Sequence, residues 1–134
     1  MSDQQSANAP HYATEDGSGH VGLDPAEKLL PLAEVAERLG VVVTRVMDLL
    51  NDHKLIAVRN AGVRVVPEAF LGEKNTVNRF VPGVIALLSD GGYNDREILE
   101  YLFTPDDSLP GRPIDALHGH LAREVMRRAQ AMAF

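Results

Sequence analysis

The spacing of apolar residues changes along the chain, and each change marks an element. Residues 1–22 are rich in Ser, Gln, Asn, Gly and acidic side chains and hold no sustained period. Such a segment buries too little apolar surface to offset its ordering entropy, so residues 1–28 are expected to form a disordered acidic tail. At Leu32 the pattern sharpens: Leu32, Val35, Ala36 and Leu39 fall at i, i+3, i+4 and i+7, one face of a helix. Pro31 suits its start and Gly40 its left-handed stop. A second helical stretch runs from about Val43 to Asp52, with Val46, Met47 and Leu50 on the expected inner side. Only Gly40 to Val42 separate the two, and so short a turn makes helices cross steeply, the helix–turn–helix arrangement.

The period then shortens to that of a strand. Leu55–Arg59 and Val63–Val66 are β-rich runs separated by Asn60–Ala61–Gly62, the pattern of a hairpin with a three-residue loop, and Pro67 ends the second run. Beyond it the pattern is helical again. Val84, Ile85, Leu87 and Leu88 follow Pro82 and stop at Gly91–Gly92, and Asn94 with Glu97 forms a capping-box signature before Ile98, Leu99, Leu102 and Phe103. After a Pro-containing loop, Pro113 opens a final helix with Ile114, Leu117, Leu121 and Val125 as its inner stripe. The expected architecture is mainly α with a small β-hairpin wing: a winged helix–turn–helix over 29–72 and a C-terminal helical region over 73–134 packed on it.

Charge refines this picture. The net charge of −6 argues against a nucleic-acid partner until its distribution is considered. Residues 1–28 carry five carboxylates against Lys28 alone, whereas residues 29–71 balance five acids with five bases. The winged module is therefore neutral, which suits a modest DNA binder. Its candidate contacts are Val43, Thr44, Arg45 and Asp48 on the second helix. Arg45 can donate to guanine O6 and N7 and Thr44 can bond a base or phosphate, while Asp48 either repels nearby phosphates, the favoured alternative, or accepts from cytosine N4. Arg59 and Arg64 flank the wing turn, and Arg38 and Lys54 would add backbone contacts.

The 134 residues contain no cysteine, which excludes thiol catalysis, thiolate metal sites and disulfides. No apolar run approaches the length of a membrane span, so a cytoplasmic protein without a membrane partner is expected. His118 and His120 are two apart and do not share a helix face, so no metal site is expected. No Ser–His–Asp order, phosphate-cradling Gly loop or paired-carboxylate motif stands out. Neither an enzyme nor a cofactor is expected.

The run L-A-E-V-A-E-R-L-G-V, then V-T-R-V-M-D-L-L and the wing (32–66), resembles the excisionase and MerR-type module. Together with V-P-E-A-F-L (66–71), residues 81–105 and residues 112–134, it resembles an actinobacterial family of winged helix–turn–helix DNA-binding proteins. A mycobacterial member of that family is known as the substrate of a membrane Ser/Thr kinase. The resemblance spans about residues 28–134. It implies double-stranded DNA as partner, transcription regulation, and control by phosphorylation of the tail, for which Thr14 is the candidate acceptor with Ser6 and Ser18 also available. The family has a small polar residue or Pro near the start of the second helix; Val41–Val42–Val43 stand there in this chain, so a poor cap and a start at Thr44 are expected. The C-terminal helix also resembles, more weakly, that of certain antitoxins. The rival reading is a protein-interaction or oligomerisation module, with Arg123, Arg127 and Arg128 as a docking face. A homodimer is compatible with either reading, although no heptad seam announces one.

Overall fold

The computed structural model describes residues 10–134. Helix α1 (Leu32–Leu39) buries Val35 and Ala36 and ends at Gly40, whose φ of 68° lets the chain reverse. Helix α2 (Val43–Asn51) starts one residue earlier than expected, with Val42 as an N-cap that offers no side-chain acceptor. Val46 and Leu50 face inward as predicted; Met47 does not, and is 39% exposed.

The larger departure lies in the sheet. In place of a lone hairpin on a mainly α protein, five antiparallel strands run in the order β2-β1-β4-β5-β3. They are β1 (His11–Thr14), β2 (His20–Gly22), β3 (Leu29–Pro31), β4 (Val58–Asn60) and β5 (Val63–Pro67). The stretch expected to be a disordered tail thus supplies two strands, and Leu29–Pro31 just beyond it adds a third. Ala13 and Thr14 pair with Arg59 and Val58, and Leu30 pairs with Val66, so both outer edges of the wing hairpin are covered. Val21 and Leu23, at 1% and 2% exposure, anchor this addition in the core. Main-chain hydrogen bonds do the rest, and they leave little trace in side-chain pattern.

The wing is also shorter than expected. Asn60 pairs directly with Val63, so the turn is the two residues Ala61 and Gly62, with φ of 51° and 84°. Both central residues in left-handed space fit the hairpin turn whose twist matches the flanking strands. Leu55, Ile56 and Ala57 precede the strand and are fully packed in the core.

The C-terminal region holds α3 (Val81–Asp90), α4 (Asp95–Phe103), α5 (Pro113–Ala116) and α6 (Ala122–Met132). The capping box of α4 is present, with Asn94 accepting from the Glu97 N–H and the Glu97 carboxylate accepting from the Asn94 N–H. The expected final helix is broken in two: around Gly119 the chain runs through tight i to i+3 bonds before α6 begins. Most of its inner stripe survives the break: Ile114, Leu117 and Val125 are buried, while Leu121 is only half-buried.

One continuous hydrophobic core joins the winged module to these helices, with Val46, Val66 and Phe70 in the same cluster as Leu88, Leu99, Ile114 and Val125. Phe70, in a 3-10 turn (Glu68–Phe70), meets Phe103 edge to face at 5.5 Å. His118 Nε2 donates to the Ala69 carbonyl at 2.6 Å, and Asn78 Nδ2 donates to the Leu117 carbonyl at 3.1 Å. No helix among the described residues is long and apolar enough to cross a membrane.

Candidate nucleic-acid interface

The side chains of α2 that the sequence offers as candidate DNA contacts are exposed. With Val46 and Leu50 turned into the core, Val43, Thr44, Arg45 and Asp48 are exposed on the sides away from it. The Arg45 side chain makes no ion pair or hydrogen bond among the described residues, and neither does the side chain of Lys54 just beyond the helix. An apolar rim missed in the sequence borders this face. Val42 is 70% exposed, and Val41, Val43 and Met47 each more than a third. Clustered exposed apolar side chains, unlike isolated ones, mark interaction surfaces. The signal available was the Val41–Val43 run itself, where a polar cap is usual.

The other three cationic candidates are already engaged. Arg38 donates from Nη1 to Glu68 at 2.8 Å and from Nη2 to Glu34 at 3.2 Å, so it braces α1 against the 3-10 turn. In the wing, Arg59 and Arg64 stand directly opposite each other on β4 and β5. Like charges in that position repel. Glu15, from the turn between β1 and β2, lies against both: Arg64 donates from Nε at 2.7 Å and Nη2 at 2.9 Å, and Arg59 Nε is 3.5 Å away. No local signal announced this contact, because 49 residues separate the partners.

That same turn docks on α4. The Asp95 N–H donates to Asp16 Oδ2 at 2.9 Å and the Arg96 N–H to Ser18 Oγ at 3.1 Å, so two donors left over at the helix start are satisfied from the N-terminal hairpin. Burial, together with the nearby Asp16 charge, pushes the Asp95 carboxyl above its ordinary range, against the pull of His53 Nε2 at 3.1 Å. Burial also pushes Asp16 up, but hydrogen bonds from Ser18 and the Asp95 N–H outweigh it and hold Asp16 below the usual carboxylate range.

Thr14, the candidate phosphate acceptor, is at the end of β1 and only 7% exposed. Its hydroxyl donates to the Gly19 carbonyl and accepts from the Gly19 N–H, both at 3.0 Å. It sits in an ordered hairpin, not on a free arm. Ser18 is half-buried in the same turn, and Ser6 lies outside the described residues.

Two family models match the chain. The winged helix–turn–helix domain of DNA-binding protein Rv2175c covers residues 18–71, beginning inside the stretch expected to be disordered. The Rv2175c C-terminal domain of unknown function covers residues 79–133. A relative, DNA-binding protein Rv2175c of Mycobacterium tuberculosis (strain ATCC 25618 / H37Rv), is 48% identical over 124 residues, covering 84% of this chain and 85% of the relative. The NMR structure of Rv2175c matches with a TM-score of 0.76 at the same 48% identity, over 84% of this chain and 85% of that one. As the sequence resemblance implied, the chain belongs to the family of the winged helix–turn–helix protein Rv2175c.

Proposed function

We propose that this protein binds double-stranded DNA with sequence preference and acts as a transcriptional regulator. The observation that carries the reading is Arg45: an exposed guanidinium without an ion-pair partner among the described residues, on a helix whose opposite side is locked into the core. The relative named as a DNA-binding protein supports it.

The N-terminal half of α2 enters the major groove. There Arg45 donates to guanine O6 and N7, and Thr44 bonds a base edge or phosphate. Asp48 accepts from cytosine N4, which selects against bases that present only acceptors at that position. Val42, Val43 and Met47 give the groove an apolar border suited to thymine methyl groups. Lys54 adds a phosphate contact. Arg59 and Arg64 flank the wing turn and become phosphate ligands to the extent that Glu15 yields them. Arg38 acts chiefly by holding α1 in place through Glu68.

Regulation by a Ser/Thr kinase belongs to the same reading. A phosphate on Thr14 would add about −1.5 to −2 of charge. The engaged Thr14 hydroxyl means that this modification would follow an opening of the β1–β2 turn.

The test is selection from a randomised duplex pool with the wild-type and Arg45→Ala proteins. The wild type is expected to enrich a guanine-containing motif, and the variant to lose that preference, at a cost of about 1–3 kcal/mol on the selected site. Identical enrichment by both would remove Arg45 from the readout.

A further inference from the structure

Cations that carry no ion pair among the described residues are few: Arg45, Lys54, Lys74, Arg79 and Arg123. Arg45 and Lys54 belong to the helix–turn–helix already discussed. Lys74 and Arg79 lie in the connection between the 3-10 turn and α3, of which residues 72–78 fall between the two family matches. The Gly72–Thr76 part of that connection shares a surface concavity with Arg38 and Leu39, at the C-terminal end of α1. Leu39 directly precedes Gly40, where the chain turns to deliver the start of α2.

The connection is built to hold its shape. Lys74 and Asn75 are consecutive left-handed residues, with φ of 57° and 63°. This conformation is sparsely populated for side-chain-bearing residues, and a lysine gains little there from local hydrogen bonding. It is held by the Gly72 N–H donating to the Thr76 carbonyl at 2.7 Å, by Thr76 Oγ1 donating to the Glu73 carbonyl at 2.6 Å, and by a bridge between Leu71 and Val77. Below it, buried Asn78 ties the segment to Leu117 and accepts from the Phe80 N–H. Lys74 is exposed at the tip of this ordered loop, and Arg79 is exposed beside it, its guanidinium 4.8 Å from the centre of the Phe80 ring. The segment carries one carboxylate, Glu73, against these two cations.

We propose that the Gly72–Thr76 loop is a second contact to the DNA backbone, with Lys74 as its phosphate ligand. This rests on the reading of α2 as the helix in the major groove. A groove about 12 Å wide is bordered by a phosphate strand on each side. An element beside the turn that introduces α2 lies over one of those borders. A rigid loop presenting an unpaired ammonium there neutralises a phosphate without first ordering a flexible segment. Such a contact fixes register on the duplex and adds no base preference.

The test is fluorescence anisotropy of a labelled 20-base-pair duplex of random sequence with the full chain over a range of salt. Lys74→Gln is expected to weaken binding about three- to tenfold at low salt and to flatten the slope of log affinity against log salt by about 0.9. Lys74→Arg, which keeps the charge, should restore both. Arg123→Gln, an equally unpaired cation on α6, should change neither. If Lys74→Gln binds as the wild type does, or if Lys74→Arg falls as far as Lys74→Gln, the loop is not a phosphate contact. Those outcomes leave the α2 reading standing, whereas absence of any salt-dependent binding by the wild type defeats that reading itself.

Discussion

Glu15 grips Arg64 through both carboxylate oxygens, at 2.7 and 2.9 Å, and so ties the N-terminal hairpin to the wing. Arg59 lies 3.5 Å from the same carboxylate. One carboxylate from the acidic stretch thus offsets about half of the charge of the wing's two cations in the folded protein. The Glu15→Gln protein should bind random duplex about three- to tenfold more tightly at low salt, with a salt slope steeper by about 1–2. Arg64→Gln alone should cost little, yet in the Glu15→Gln background it should cancel most of the gain. A double-mutant cycle read by anisotropy checks this. Additive effects would mean that Glu15 does not gate Arg64.

Gly91 illustrates a different kind of constraint. It follows α3 with an ordinary φ of −79°, so it is not there for backbone freedom. A Cβ at this position would sit 2.6 Å from Ala133 Cα and 2.9 Å from Ala133 Cβ, where the end of α6 crosses. Gly91→Ala should therefore destabilise by about 1–3 kcal/mol through overpacking. Removing residues 133–134 in that background should recover most of the loss. Thermal unfolding of the two proteins reads this out, and an unchanged Tm for Gly91→Ala would show that the contact yields freely.

Acid stability has a traceable source in α6. Hydrogen bonds from Arg127 and then Arg128 hold the Glu124 carboxyl down at about 2, against an ordinary 4.5. A depressed folded value means that the stability it contributes is present above about 4.5 and is lost as pH falls through about 2. Asp115, held low by the Arg112 guanidinium, acts in the same direction. Asp95 has the opposite sign: its raised value favours the fold at low pH and is lost as pH rises through that value. Wild type should have a higher Tm than Glu124→Gln by a few degrees at most near neutrality, and the gap should close towards pH 2. A gap that persists at pH 2 would assign the effect to packing.

Much of the helical framework was legible from residues close in sequence. Gly40 as a left-handed stop and Asn94 with Glu97 as a capping box are local patterns, and both hold. What escaped depends on distant partners. His11–Thr14 becomes a strand because β4 offers it an edge, and only Val21 and Leu23 mark the region as core. The break at Gly119 was hidden because the apolar stripe runs across it unchanged. The exposure of Thr44 and Arg45 was readable from helical spacing, whereas the pairing of Arg59 and Arg64 was not. It depends on Glu15, which reaches them only once the sheet has formed.

If α2 and the unpaired cations around it bind DNA, anisotropy titration of a labelled random duplex with the full chain, at two salt concentrations and with unlabelled competitor, will show it. With about two to three phosphate contacts, from Lys54, Lys74 and the wing charge that Glu15 leaves uncompensated, log affinity should fall against log salt with a slope of about −2 to −3, and Arg45→Ala should leave that slope reduced by no more than about 1. Failure to bind even at low salt would contradict the claim and turn attention to a protein partner for the exposed Val42 and Met47 surface.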